Sequence, residues 1–209
     1  MFASIASRYD LLNHLLSGNI DRRWRRLVAK NLRVPLANSE AQILDVACGT
    51  GDLALTLKEN GSARIFGIDF CRPMLAIAVT KASKANWALP FVEGDALSLP
   101  FPDRSFEAAT IAFGLRNLAN FQAGIEELLR VLKPGGSFHF VDFIVDDASD
   151  GFFDRLFRSH AQMRDNTDER IRHLLSHTGF RNPVKVKERN MLFGLLRTAY
   201  YQAGDIQFA

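Results

Sequence analysis

AQILDVACGTGD, residues 41–52, decides how the chain reads. AQILDVA is short, apolar and ends near glycines, the pattern of a strand buried on both faces. Gly49 and Gly51 then permit a tight turn and a close approach by a ligand, before a helix opens at Asp52. A strand, glycine turn and helix in this order places a ligand at the carboxyl end of a central strand in an open α/β sheet.

Outward from that loop, apolar runs of strand length alternate with helical patterns. RIFGIDF (64–70), LPFVEGD (89–95), SFEAATIAF (105–113) and GSFHFVDF (136–143) read as further strands. Helices are predicted near 52–59, 73–84 and 121–132. Pro73 suits a first helical turn, where its missing N–H costs nothing, and KPGG (133–136) reads as a helix stop followed by a turn. The alternation predicts right-handed βαβ units and a parallel sheet. Basic helices are expected within 8–33 and further helices within 151–178. VKVKERN (184–190) and LLRTAYYQA (195–203) read as a closing strand pair around Leu192–Gly194.

Composition bounds the function classes. With 209 residues, 47% hydrophobic and 23% charged, the chain is too apolar to be disordered. No run approaches the length of a membrane span. The first residues, MFASIASRYD, lack the apolar stretch of a signal peptide, and two cysteines make no disulfide framework, so a cytoplasmic protein is expected. The net charge of +3 matters less than its placement. Residues 1–40 carry net +4, concentrated in Arg22, Arg23, Arg25, Arg26, Lys30 and Arg33. That run reads either as a solvated helix face or as a Trp24-bearing helix on anionic lipid headgroups. It lacks the interleaved aromatics of a nucleic-acid platform.

The spacing of Gly49, Gly51 and Ala54 also fits a dinucleotide site, so the carboxylates decide. Asp45 precedes the loop and Asp52 opens the helix, where a pyrophosphate would otherwise sit. Two acids here suit a cationic ligand without phosphates, such as S-adenosylmethionine. Asp69, at the next strand end, can accept both ribose hydroxyls, and Asp95 can meet an adenine edge. Cys48 reads as a packing residue, and His173 and His177 as a surface pair with no third metal ligand.

LDVACGTGD, GIDF, EGDALSLPFPDRSFE, FGLRN and RVLKPGG resemble class I S-adenosylmethionine-dependent methyltransferases. Tyr9-Asp10, Asn13, Arg22-Trp24-Arg25 and Phe113-Gly114-Leu115-Arg116-Asn117 narrow the resemblance to the ubiquinone/menaquinone biosynthesis C-methyltransferases. It covers residues 2–143. It implies a doubly wound, mostly parallel seven-stranded sheet with an antiparallel terminal strand and N-terminal helices, in a single domain. Within it, 1–40 holds the basic helices, 41–143 the cofactor core and 144–209 the substrate-side helices and closing pair.

The resemblance also implies residue roles. Gly49, Thr50 and Gly51 hold the methionine moiety of the cofactor, with Asp45 near its ammonium. Asp69 binds the ribose, Met74 belongs to the same site, and Asp95 and Ala96 frame the adenine. Tyr9 closes over the cofactor, and Arg116 and Asn117 face a prenylated quinol. After residue 143 the family's aromatic-rich stretch is not found, and Asp142 stands where the family usually has Glu. Methylation of another small molecule, an NAD(P)-dependent oxidoreductase and a non-catalytic accessory subunit therefore stay open, as do a homo-oligomer and peripheral contact with the inner membrane face.

Overall fold

The structure, a computed structural model, describes residues 20–144, 168–178, 180–191 and 196–204. Tyr9, Asp10, Asn13 and the Phe-rich pieces near 152–157 lie outside them. The chain opens with α1 (Ile20–Asn31) and the short α2 (Arg33–Leu36). It continues through β1 (Gln42–Val46), α3 (Asp52–Glu59), β2 (Arg64–Asp69), α4 (Arg72–Lys84) and β3 (Phe91–Glu93). Next come β4 (Phe106–Ala112), a 3-10 turn at Leu115–Asn117, α5 (Phe121–Val131) and β5 (Leu132–Ile144). The last elements are α6 (Asp168–His177), β6 (Arg181–Met191) and β7 (Leu196–Gly204).

The seven strands form one sheet in the order β3-β2-β1-β4-β5-β7-β6. Strands β1 to β5 run parallel, and β7 enters antiparallel between β5 and β6. Strand alternation distributes the core over both faces. Leu44, Val46, Phe138 and Phe140 pack on one side with Ile125, Leu128 and Val131 of α5 and Ile171 and Leu175 of α6. Ile43 and Val141 face the other side, with Trp24 and Val28 of α1 and Leu53 and Leu57 of α3. α5 has the sequence logic of a surface helix: Asn120 caps it by accepting from the Ala123 N–H, and its buried residues recur on one stripe.

Three expectations shift. The third strand shortens to Phe91–Glu93, because Asp95 turns the chain by accepting from the Leu97 N–H. KPGG is a bulge rather than a turn after the helix. Leu132 already pairs with Phe106, and Lys133–Gly136 loop out before Ser137 pairs with Ala108, with Gly135 at φ +75°. The first strand of the closing pair is longer than expected, and the second, β7, is the one that pairs with β5.

That insertion is keyed by a buried polar chain. The His139 Nδ1 lies 2.6 Å from the Tyr200 hydroxyl, and its Nε2 lies 2.8 Å from the Ser137 hydroxyl. Burial pushes the His139 pKa down to about 3, so the ring stays neutral and both nitrogens are satisfied. Tyr200→Phe should orphan the Nδ1 and cost about 1–3 kcal/mol in urea unfolding at pH 7. A variant as stable as the parent would remove β7's keying role from this pair.

Candidate functional site

Strands β1 and β4 are neighbours whose connections leave in opposite directions, so a crevice opens at their carboxyl ends. A cavity of about 310 Å³ fills it. Its walls come from Ala47 and Gly49 after β1, Asp69 at the end of β2, Phe70 after it, and Met74 of α4. Gly94 to Leu97 follow β3, while Phe113, Asn117 and Leu118 follow β4. Ala47 and Phe113, at the ends of the two central strands, hold left-handed backbone at φ +51° and +58°. Such conformations cost a non-glycine residue about 1–3 kcal/mol and persist where the surroundings enforce them. Between them Gly114 is obligatory, since a Cβ there would lie 2.6 Å from that of Ala47.

The glycine loop is held from several sides. The Gly49 N–H donates to Asp69 Oδ2 at 2.8 Å, and the Cys71 N–H donates to Asp69 Oδ1 at 2.8 Å. Gly51, at φ +81°, has its Cα against Ala78 and the Phe91 ring, where a Cβ would come within 2.9 Å of Ala78. Asp69 is buried, and desolvation raises its pKa against the pull of these backbone donors. Each oxygen nonetheless keeps a second lone pair for a hydroxyl, and the residue lines the cavity.

Asp45 sits beneath the loop rather than on the cavity wall and is 1% exposed. Its Oδ1 accepts from Thr110 Oγ1 at 2.8 Å, while Oδ2 has no hydrogen-bond partner among the described residues. Desolvation lifts its pKa to about 7, outweighing the Thr110 and Ala54 hydrogen bonds. Cys48, next to the loop, is pushed up by the same burial and by these two carboxylates, which suits a packing thiol and not a nucleophile.

Several side chains depart from their expected places. Asp52 is not a free carboxylate for a ligand. Lys81 Nζ lies 2.6 Å from its Oδ1 and Arg25 Nη1 3.4 Å from its Oδ2. Thr50 is buried with its hydroxyl accepting from Lys81 at 3.0 Å, so the loop's backbone and not this side chain faces the cavity. Arg116 turns away from the cavity onto Asp142, which is 1% exposed and needs a counter-charge. The guanidinium and the Arg116 N–H both donate to that carboxylate. Asn117 does line the cavity, donating to the Phe113 carbonyl at 3.3 Å. Met74, Asp95 and Ala96 line it as well, and Asp95 is exposed. Trp24 is buried in the core and does not face solvent. His173 and His177 stack at 3.8 Å with no third metal ligand among the described residues.

Lys81 and Arg25 had no local signal for their contacts. Lys81 follows Asp52 by 29 residues, a distance no periodicity reaches.

Strand order, helices on both faces and a cavity at the β1/β4 switch point define the Rossmann-like fold of class I methyltransferases. The chain belongs to the ubiE/COQ5 methyltransferase family, whose model matches residues 1–154. It is 48% identical over 163 residues to a demethylmenaquinone methyltransferase of Deinococcus radiodurans, covering 78% of this chain and 66% of that protein. A demethylmenaquinone methyltransferase of Thermus thermophilus is 51% identical over 144 residues, with coverages of 68% and 64%. The chain thus spans just under two thirds of the length of these curated relatives. Among solved structures, the YcgJ protein of Bacillus subtilis superposes with a TM-score of 0.77 over 90% of this chain and 100% of its own. At 19% identity, that likeness concerns the fold.

The Asp45 shift carries a stability consequence with a definite sign. The carboxyl binds its proton more tightly in the folded protein (about 7) than an ordinary aspartate does (3.8). Its contribution to stability is therefore present below pH 4 and lost as pH rises to 7. Asp45→Asn should stabilise the protein at pH 8, by about 4 kcal/mol at most, and the gain should vanish near pH 4. Urea unfolding across that range checks it; a gain independent of pH would contradict the burial argument.

Proposed function

We propose that the protein is an S-adenosylmethionine-dependent methyltransferase acting on a ring carbon of a prenylated quinol in menaquinone or ubiquinone biosynthesis. The observation that carries the cofactor reading is Asp45, a buried carboxylate whose Oδ2 no described residue satisfies, directly below the loop. An orphaned anion there suits a ligand cation and opposes a phosphate. With Asp52 already neutralised by Lys81 and Arg25, Asp45 carries this argument alone. The residues present therefore fit the cofactor. The backbone of Gly49 to Gly51 would take its methionine end over Asp45. Asp69 would take the ribose hydroxyls, and Asp95, Ala96 and Met74 would surround the adenine. Tyr9, outside the described residues, stays assigned to closure on the resemblance.

The cofactor supplies a sulfonium methyl for in-line displacement, with a neutral leaving group. Little acid catalysis is needed, and the protein's part is to fix the acceptor in a dry pocket. Phe113, Leu118 and Ala112 give the β4 side of the cavity an apolar wall suited to an aromatic ring. Asn117 is the polar group on that wall and is assigned to an acceptor hydroxyl. Arg116 is assigned to positioning: its bond to Asp142 holds the turn that presents Asn117. The names of the curated relatives support the quinol as substrate class.

Peripheral membrane contact is part of the same reading. Arg22, Arg23, Arg26, Lys30 and Arg33 are exposed along α1 and α2 with no carboxylate partner among the described residues. With Trp24 in the core, attraction to anionic lipid rests on charge and so should fade with salt. No helix among the described residues is long and apolar enough to cross a membrane.

Labelled S-adenosylmethionine incubated with a lipid extract should yield a ring-methylated quinol. Label on oxygen, nitrogen or sulfur of a product would overturn the acceptor assignment. In calorimetry, S-adenosylhomocysteine should bind and NAD should not; Asp69→Asn should weaken binding about 10- to 100-fold. Asn117→Ala should slow single-turnover methylation about 10-fold or more while leaving cofactor affinity within about threefold. Vesicles with anionic lipid should retain the protein at low salt and release it at high salt; equal retention on neutral vesicles would remove the basic stripe from the account.

A further inference from the structure

One carboxylate in this fold joins three helices, α1, α3 and α4. Asp52 is the first residue of α3, immediately after the glycine loop. Its Oδ1 accepts from Lys81 of α4, and its Oδ2 faces Arg25 of α1. The Arg25 side chain is 15% exposed and those of Lys81 and Asp52 are 26% and 27% exposed, so the contacts are partly shielded from solvent. The same Lys81 ammonium donates to Thr50 inside the loop. Trp24, the residue before Arg25, packs into the same core cluster as Leu53 of α3. The N-terminal helix is therefore fastened to the first turn of α3 by an apolar anchor and a charged one, and the charged one is shared with the cofactor loop.

Local propensity explains only part of this. An acid at a helix start is favoured by the helix dipole in any case. Two cations from different elements on its two oxygens are not required for that, and neither is the contact from Lys81 to Thr50. We infer that Asp52, bridged to Lys81 and Arg25, is a positioning residue through which docking of the N-terminal helix sets the geometry of the cofactor loop. The inference rests on the cofactor reading above. Undocking α1 frees Asp52 to pull on Lys81 differently, Lys81 loosens from Thr50, and the loop loses one of its restraints.

The experiment uses a Trp87→Phe background, so that Trp24 alone reports on α1, the sequence holding two tryptophans. Arg25→Gln, Asp52→Asn, Lys81→Met and Lys81→Arg are each titrated with S-adenosylhomocysteine, and Trp24 is probed by iodide quenching. Arg25→Gln and Asp52→Asn should weaken binding about five- to twentyfold and make Trp24 more accessible to iodide. Lys81→Met should weaken binding and Lys81→Arg should restore it. Arg25→Gln should add nothing to Asp52→Asn. If Arg25→Gln and Asp52→Asn bind as the parent does, or lose affinity with Trp24 still shielded, the inference is overturned. If the parent itself fails to bind, the cofactor reading falls first, and the inference with it.

Discussion

The site depends on the carboxylate of Asp69. It stands at the end of β2 and receives the N–H of Gly49 from the loop after β1 and the N–H of Cys71 at the start of α4. Two loops from two strands are thereby tied to one anion in a partly dehydrated crevice. Burial raises the pKa of that carboxyl against the pull of its backbone donors, and the hydrogen bonds from Gly49 and Cys71 hold the side chain in place. Everything around the cavity inherits this restraint. Left-handed turns at Ala47 and Phe113 bring both residues onto the cavity wall, and Gly114 lets the ends of β1 and β4 pass at close range.

Charge is handled differently at each carboxylate nearby. Asp45 is dehydrated and half-satisfied, Asp69 is satisfied by backbone, Asp52 by two cations, and Asp142 by Arg116. Only the first has a buried oxygen without a partner among the described residues. That orphaned oxygen lies beneath the glycine loop, behind the cavity wall. Four carboxylates in four different settings lie within one small region, and only their partners tell them apart.

That distinction sets how far the residues alone could carry the reading. The core was legible, because periodicity and glycine placement are local: α3 falls at Asp52–Glu59, matching the pattern, and β1, β2 and β4 lie within a residue or two of theirs. The ends were not. KPGG has the composition of a turn, yet the sheet absorbs it as a bulge, because the pairing partner Phe106 lies 26 residues earlier. In the site, Asp69 and Gly49, read from the loop, and Met74, implied by the resemblance, all line the cavity. Asp52, Thr50 and Arg116 do not face it, because Lys81, Arg25 and Asp142 claim them through contacts that sequence distance hides.

The place of β7 has a consequence for how the molecule is built in time. Its residues 196–204 lie inside the sheet, between β5 and β6, although β5 closes some fifty residues earlier in the chain. β6 pairs with β7 and not with β5, so it has no place in the sheet until the later strand arrives. A chain emerging amino end first must hold the open edge of β5 exposed while β6 waits. Contacts of such long sequence separation form slowly, and unpaired edges of this kind invite association with other chains. The inserted strand therefore makes the last part of the sheet the step at which folding and aggregation compete.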